Sequence, residues 1–216
     1  MIATATIAAH GGCRETPAED NDTRERNIMA DLKINPHSER DVVKRYVVGL
    51  NENGKSALLM DGVPNQMELK DWFWRAALWT TKETPVDNSI PGDRSLDGGV
   101  ARSPFPGGLL VRVEEGWPEH DPETNQKFWA ELNKVTGYTQ VISEKDKQRS
   151  PSMHRTNTLD VITVLRGEIY LLLDEGEILL RPTDAVIIQG VNHGWTNRSD
   201  EPCLLTAVMI DAIPRQ

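Results

Sequence analysis

The chain has 216 residues, 38% of them hydrophobic and 26% charged, with 24 Lys plus Arg against 33 Asp plus Glu and a net charge of -9. This acidic balance argues against nucleic-acid and anionic-membrane partners, which need clustered cations. No run approaches the roughly 18 apolar residues of a membrane helix.

Met1 to about Arg40 is rich in Ala, Thr, Asp, Glu, Arg and Asn without a sustained apolar period, and reads as a disordered or loosely packed extension. Only Asn27 to Lys33 suggests a short helix. The first nine residues lack a cationic lead, and Glu15, Glu19, Asp20 and Asp22 do not suit a transit peptide, so a soluble, cytoplasmic protein is expected. Cys13 and Cys203 form no disulfide framework and read as free thiols.

The pattern changes at Asp41. Arg45 to Leu50 and Ser56 to Met60 are β-prone and flank the turn Asn51-Glu52-Asn53-Gly54, which predicts a hairpin. Met67 to Thr81 is dense in aromatics (Trp72, Phe73, Trp74, Trp79) and predicts one or two strands, with helix left open; core packing is the preferred role of the tryptophans. Glu83 to Gly108 is a Pro- and Gly-rich connection, too long for an ordinary loop, that is either mobile or drapes over a site. Leu109 to Val113 reads as a strand. Asp121-Pro122 starts a helix of about residues 123–136, with Phe128, Trp129 and Leu132 on its buried face and Gly137 at its end.

Beyond Tyr138 the reading is β throughout. Val161–Leu165, Ile169–Leu173, Ile178–Leu180, Ala185–Ile188 and Leu204–Ile210 are short apolar runs separated by turn residues. Two of the five histidines, His154 and His193, sit on alternating stretches within this region. On regular strands His154, Thr156, Thr158 and Asp160 share one face, as do His193, Trp195 and Asn197. If both faces point inward, His154, Asp160 and His193 converge beside Thr156, with Trp195 as a pocket wall. Two imidazoles and a carboxylate suffice to hold a non-haem iron, or zinc or manganese with water; without metal, a His–Asp pair serves as general base or acid. Asp160 bonded to Thr156, Thr158 or a His is the competing reading. Arg112 is within reach of a carboxylate substrate, but a solvent-exposed strand position is preferred; Arg155 should face away from His154. His10, His37 and His120 receive no role.

The region from Met153 to Asp211 resembles the cupin superfamily of small jelly-roll barrels. The usual first cupin motif runs Gly, five residues, His-x-His, three or four residues, Glu, six residues, Gly. The second runs Gly, five residues, Pro-x-Gly, two residues, His, three residues, Asn. His154 and Gly167 fall on the first motif; Gly190, His193 and Asn197 fall on the second at the right spacing. Thr156 replaces the second His, Asp160 the Glu and Ile188 the Pro, and Thr183-Asp184 stands one residue too close for the usual Gly-Asp. The Arg45 to Asp61 hairpin resembles the opening of a subgroup of single-barrel cupins. The resemblance implies an all-β fold, a jelly-roll barrel with an N-terminal hairpin extension and one or two short helices. Residues 41–216 would form one cupin domain, with a core barrel at about 108–213 and a helical insertion at about 123–136.

It also implies a small-molecule enzyme: a lyase, decarboxylase or isomerase of secondary metabolism, with His154, His193 and Asp160 as catalytic groups and Thr156, Trp195 and Asn197 in the substrate pocket. The alternatives are a metal-dependent non-haem iron dioxygenase and a non-catalytic small-ligand-binding cupin. The implied cofactor is one divalent metal (Fe, Zn, Mn or Ni) on His154, Asp160 and His193, or none. Cupin barrels commonly pair through edge strands, so a homodimer using the Arg45 to Met60 hairpin is expected; a monomer in sedimentation at micromolar concentration would contradict it.

Overall fold

Alternating apolar side chains at the C-terminal end of the chain set the architecture. On the last strand Cys203, Leu205, Ala207 and Met209 point inward and are buried, and the residues between them are half-buried. A strand with this period covers a core on one face. The computed structural model describes residues 43–69, 73–98, 102–119, 121–138 and 142–214, all within the compact unit Ile34–Gln216. The expected N-terminal extension, its short helix, Cys13, His10, His37, Trp72 and His120 lie outside the described residues.

The strands are β1 (Arg45–Leu50), β2 (Ser56–Gly62), β3 (Asn65–Leu69), β4 (Phe73–Thr80), β5 (Leu109–Gly116), β6 (Thr158–Arg166), β7 (Ile169–Leu173), β8 (Glu177–Leu180), β9 (Ala185–Gln189), β10 (His193–Thr196) and β11 (Cys203–Asp211). The helices are α1 (Ser95–Gly98), α2 (Pro122–Val135) and α3 (Glu144–Arg149). An antiparallel six-stranded sheet runs β3-β4-β5-β11-β6-β9, a three-stranded sheet runs β10-β7-β8, and β1-β2 forms the expected hairpin. The apolar core lies between the two larger sheets. Leu110, Ile162, Val164, Leu205 and Met209 from one meet Ile169, Leu171 and Leu180 from the other. This is the expected all-β jelly-roll.

β4 is buried on both faces. Phe73, Arg75 and Ala77 turn toward the barrel, while Trp74 and Ala76 pack with Val113, Leu78 and Val43 behind it. That double burial explains why Met67 to Thr81 shows no alternation. On β1 the side chains of Tyr46, Val48 and Leu50 are exposed. The connection from Glu83 is tied down at several points. Arg45 grips Asp93 with two hydrogen bonds of 2.6 Å, Arg94 Nε donates to Thr80 O, and Arg112 Nη1 donates to Arg102 O.

α2 begins where the sequence places it: the Asp121 side chain accepts the Glu123 and Thr124 amides and Pro122 opens the first turn. Leu132 is buried and Phe128 and Trp129 pack with Phe73. α3 has no counterpart among the predicted elements. Ser143 caps it through Asp146 N, but Glu-Lys-Asp-Lys-Gln-Arg buries no side chain and so carries no apolar period. At the β6–β7 turn Gly167 has φ +73°, and a Cβ there would lie 2.5 Å from Pro202 O, so only glycine fits the closing position of the first motif. No helix among the described residues is long and apolar enough to cross a membrane.

Candidate functional site

His154 and His193 are brought together by the backbone. His154 N–H donates to His193 O at 2.7 Å, and His193 N–H returns a bond to His154 O at 3.0 Å. Ser152 Oγ accepts the Trp195 amide and holds the approach to His154 against β10. The ring centroids are 4.3 Å apart. Each Nδ1 faces a carbonyl, Ser152 O at 2.8 Å for His154 and Val191 O at 2.9 Å for His193. A carbonyl only accepts, so both Nδ1 atoms carry the proton and both Nε2 lone pairs are free.

Burial makes these imidazoles neutral. It pushes His193 down to about 4, only partly opposed by the bond to Val191. Burial, followed by the neighbouring His193, pushes His154 well below the ordinary histidine range. His154 is half-buried and lines a cavity inside the barrel; His193 is 2% exposed and sits behind it. Tyr138 meets the His154 ring edge-on at 5.9 Å and Trp195 meets His193 at 6.0 Å.

The remaining predicted site residues divide. Trp195 lines the cavity. Asn197 also borders it, but its side chain is committed to the turn that follows: Nδ2 donates to Gly116 O and Glu201 O, and Oδ1 accepts from Ser199 N and Oγ. Thr156 is buried and accepts a 2.7 Å hydrogen bond from Thr158 Oγ1. Asp160 is 2% exposed beside these hydroxyls, and its buried Oδ1 has no hydrogen-bond partner. Burial pushes its carboxyl up, with Thr158 and then Arg112 partly opposing. Among the described residues no group of three or more His, Cys, Asp or Glu side chains is placed to hold a metal ion. Asp160 thus lies beside the threonines and completes no three-ligand group with the imidazoles. The donor set does not fit the usual cupin metal centre, and no step below passes through a metal.

The structure corrects the expectation for Arg112. It is 7% exposed and lines the cavity with Arg75 and Arg102. Arg75 Nε donates to Glu114 Oε2 at 2.8 Å, and Arg112 Nε lies 3.2 Å from the same oxygen. Arg102 donates to Asn133 Oδ1 at 2.7 Å, and its guanidinium stacks 4.4 Å from the centre of the Tyr138 ring. Burial and then Arg112 push Arg75 down to about 9 and Arg102 to about 10, so both stay charged at neutral pH. Burial alone would raise the Glu114 carboxyl, but Arg112 and Arg75 outweigh it and hold the carboxyl below its ordinary range. Phe73, Phe128, Trp129, Leu132 and Leu205 supply apolar walls. The sequence signal for this cluster was weak: Arg75 keeps step with inward Phe73 and Ala77, and Arg112 with inward Leu110.

Two packed antiparallel sheets around a cavity with a polar interior and an aromatic rim define a barrel of the jelly-roll class. Residues 140–209 match the family model described as Cupin domain, and the chain carries a cupin domain there. Over 48 residues the chain is 50% identical to Phomopsin biosynthesis cluster protein C' of Diaporthe leptostromiformis, a stretch that is 22% of this chain and 25% of that protein. Over 65 residues it is 40% identical to the cupin-domain-containing oxidoreductase srdB of Neurospora crassa, 29% of this chain and 33% of that one. The match thus spans about a quarter to a third of the length of these curated relatives. Among solved structures it resembles the polyketide cyclase RemF from Streptomyces resistomycificus at 17% identity and TM-score 0.36, over 70% of this chain and 71% of that one.

Proposed function

We propose that the chain is a small-molecule enzyme that moves a proton in its barrel cavity, as a lyase, decarboxylase or isomerase does, with His154 as the base. One observation carries this reading. His154 lines the cavity with its Nδ1 proton committed to Ser152 O, which leaves Nε2 as a neutral acceptor at pH 7. His193, bonded in the same way behind it, fixes the segment of His154 and keeps a second neutral ring beside the acceptor. The aromatic walls suit a largely apolar substrate and exclude water from the transfer. Likeness to a protein named for a phomopsin biosynthesis cluster supports a secondary-metabolic setting. A second reading, oxidative chemistry, is favoured by the name of the srdB relative.

The test uses phenylacetone, a neutral aromatic ketone, in deuterated buffer. The protein is expected to accelerate exchange of its acidic C–H protons. The His154→Ala variant should lose roughly 10²-fold of that acceleration, and metal content measured on both proteins separates the two readings. Equal exchange rates in the two proteins would remove His154 as the base. Stoichiometric metal lost with His154 would favour the oxidative reading.

A further inference from the structure

The cavity holds more positive charge than its own carboxylates balance. Arg75, Arg102 and Arg112 line it, each at least nine-tenths buried. Among the described residues lining the same space the carboxylates are Glu114, which pairs with Arg75 and Arg112, and Glu119, which is exposed to solvent. Within the lining, one carboxylate therefore faces three buried guanidiniums; buried Asp160, outside the lining, also feels Arg112. Arg112 Nη2 donates to Glu114 Oε1 at 3.5 Å, but Arg112 Nε is buried without a hydrogen bond, the nearest carboxylate oxygen lying 3.2 Å away. Burying cations together is unfavourable unless an anion joins them. The planar guanidinium fork matches a planar two-oxygen anion, the geometry in which Glu114 already engages this cluster.

We propose that the cavity takes an aromatic monocarboxylate, its carboxylate received by Arg112 and Arg102 and its ring held by Phe128, Trp129 and Trp195. This names the substrate class of the site and rests on the same cavity as the proton-transfer reading. It places the negative charge on the arginine side and the reacting carbon on the side of His154. Burial and mutual repulsion already push the Arg75 and Arg102 guanidiniums down, and a bound carboxylate relieves that repulsion.

Titration calorimetry on the full chain with benzoate, benzamide and phenyl phosphate tests it. Benzoate should bind about tenfold or more tightly than benzamide, its neutral isostere. Arg112→Met and Arg102→Gln should each erase that preference. Arg102→Gln keeps a donor for Asn133, so it remains informative if Arg112→Met unfolds. Arg155→Gln, at an exposed arginine outside the cavity, should leave the preference unchanged. Equal binding of benzoate and benzamide, or an undiminished preference in Arg102→Gln, would overturn the proposal. So would tighter binding of phenyl phosphate than of benzoate, which would mark a phosphate site. Benzoate binding needs no turnover and phenylacetone carries no charge, so the two readings fail separately.

Discussion

The histidine wall and the arginine wall of the cavity answer the same burial in different ways. His154 and His193 arrive from two segments joined by a pair of backbone hydrogen bonds, and each ring is fixed by a carbonyl. Arg75, Arg102 and Arg112 arrive from β4, the long connection and β5, and hold one another through Glu114 and the Arg102 carbonyl. Desolvation pushes the pKa down on both walls. A histidine begins near neutrality, so burial discharges it; an arginine begins so high that about 9 still leaves it charged at pH 7. One physical effect thus produces a neutral base beside fixed cations. The opposite arrangement, a cationic histidine with neutral arginines, is not available to these side chains.

The largest expected effect comes from breaking the charged wall. Glu114→Ala removes the carboxylate that Arg75 and Arg112 share and leaves both cations buried without it. Loss of one partner of a buried pair costs about 3–5 kcal/mol, readable by urea denaturation. Added benzoate should restore part of that stability in the variant. A loss below about 1 kcal/mol would mean that the guanidiniums are hydrated and that the wall is less dry than its burial indicates.

The neutral wall gives a smaller, pH-dependent effect. The folded value of His193 is about 4 against about 6.5 in the unfolded chain. A depressed value means that the unfolded state takes up the proton first as pH falls. The stabilising contribution of neutral His193 is therefore complete above about pH 6.5 and is lost progressively toward pH 4, reaching about 3 kcal/mol. His193→Gln should flatten the difference in unfolding free energy between pH 7.5 and 4.5, a range set by those two values. An unchanged slope would show that His193 is already protonated, or accessible, in the folded protein.

The same contrast explains what the sequence revealed. The histidine wall was legible because each ring lies in a local motif whose spacing survives in one stretch of chain: Gly190, His193 and Asn197 on one side, His154 and Gly167 on the other. The β6 to β11 strands were legible because alternation and turn residues act locally. The arginine wall was not, because it exists only once three distant segments are packed together. Leu109-Leu110-Val111-Arg112-Val113 shows no polar alternation, and the inward direction of Arg112 emerges only from its pairing with fully buried Ala207 on β11. Arg102 lies in a stretch with no regular period at all. The departure at Thr156 and Asp160 was visible in the sequence; its consequence, that Asp160 lies beside the threonines and completes no three-ligand group with the imidazoles, needed the packing.

Asp160 offers the smallest test and the one that bears on both walls. Its carboxyl is pushed up by burial, and Oδ1 lacks a partner. A raised folded value means that the folded state holds the proton more tightly than the unfolded one. Its contribution is therefore most favourable below the unfolded value of about 3.9 and is lost as pH rises through the folded value, so at neutral pH the ionised group is a liability. Asp160→Asn keeps the shape, removes that charge, and leaves an amide to meet the Thr158 and Thr156 hydroxyls. It should raise stability at pH 7 by up to about 1 kcal/mol and lose that advantage near pH 3.5, below the unfolded value. Arg112 opposes this, since its charge lowers the Asp160 value. If Asp160→Asn instead destabilises the protein at pH 7, Asp160 is serving as a second counter-ion to the arginine wall. The charge excess that favours a bound carboxylate would then shrink by one, and benzoate should bind Asp160→Asn more tightly than the parent.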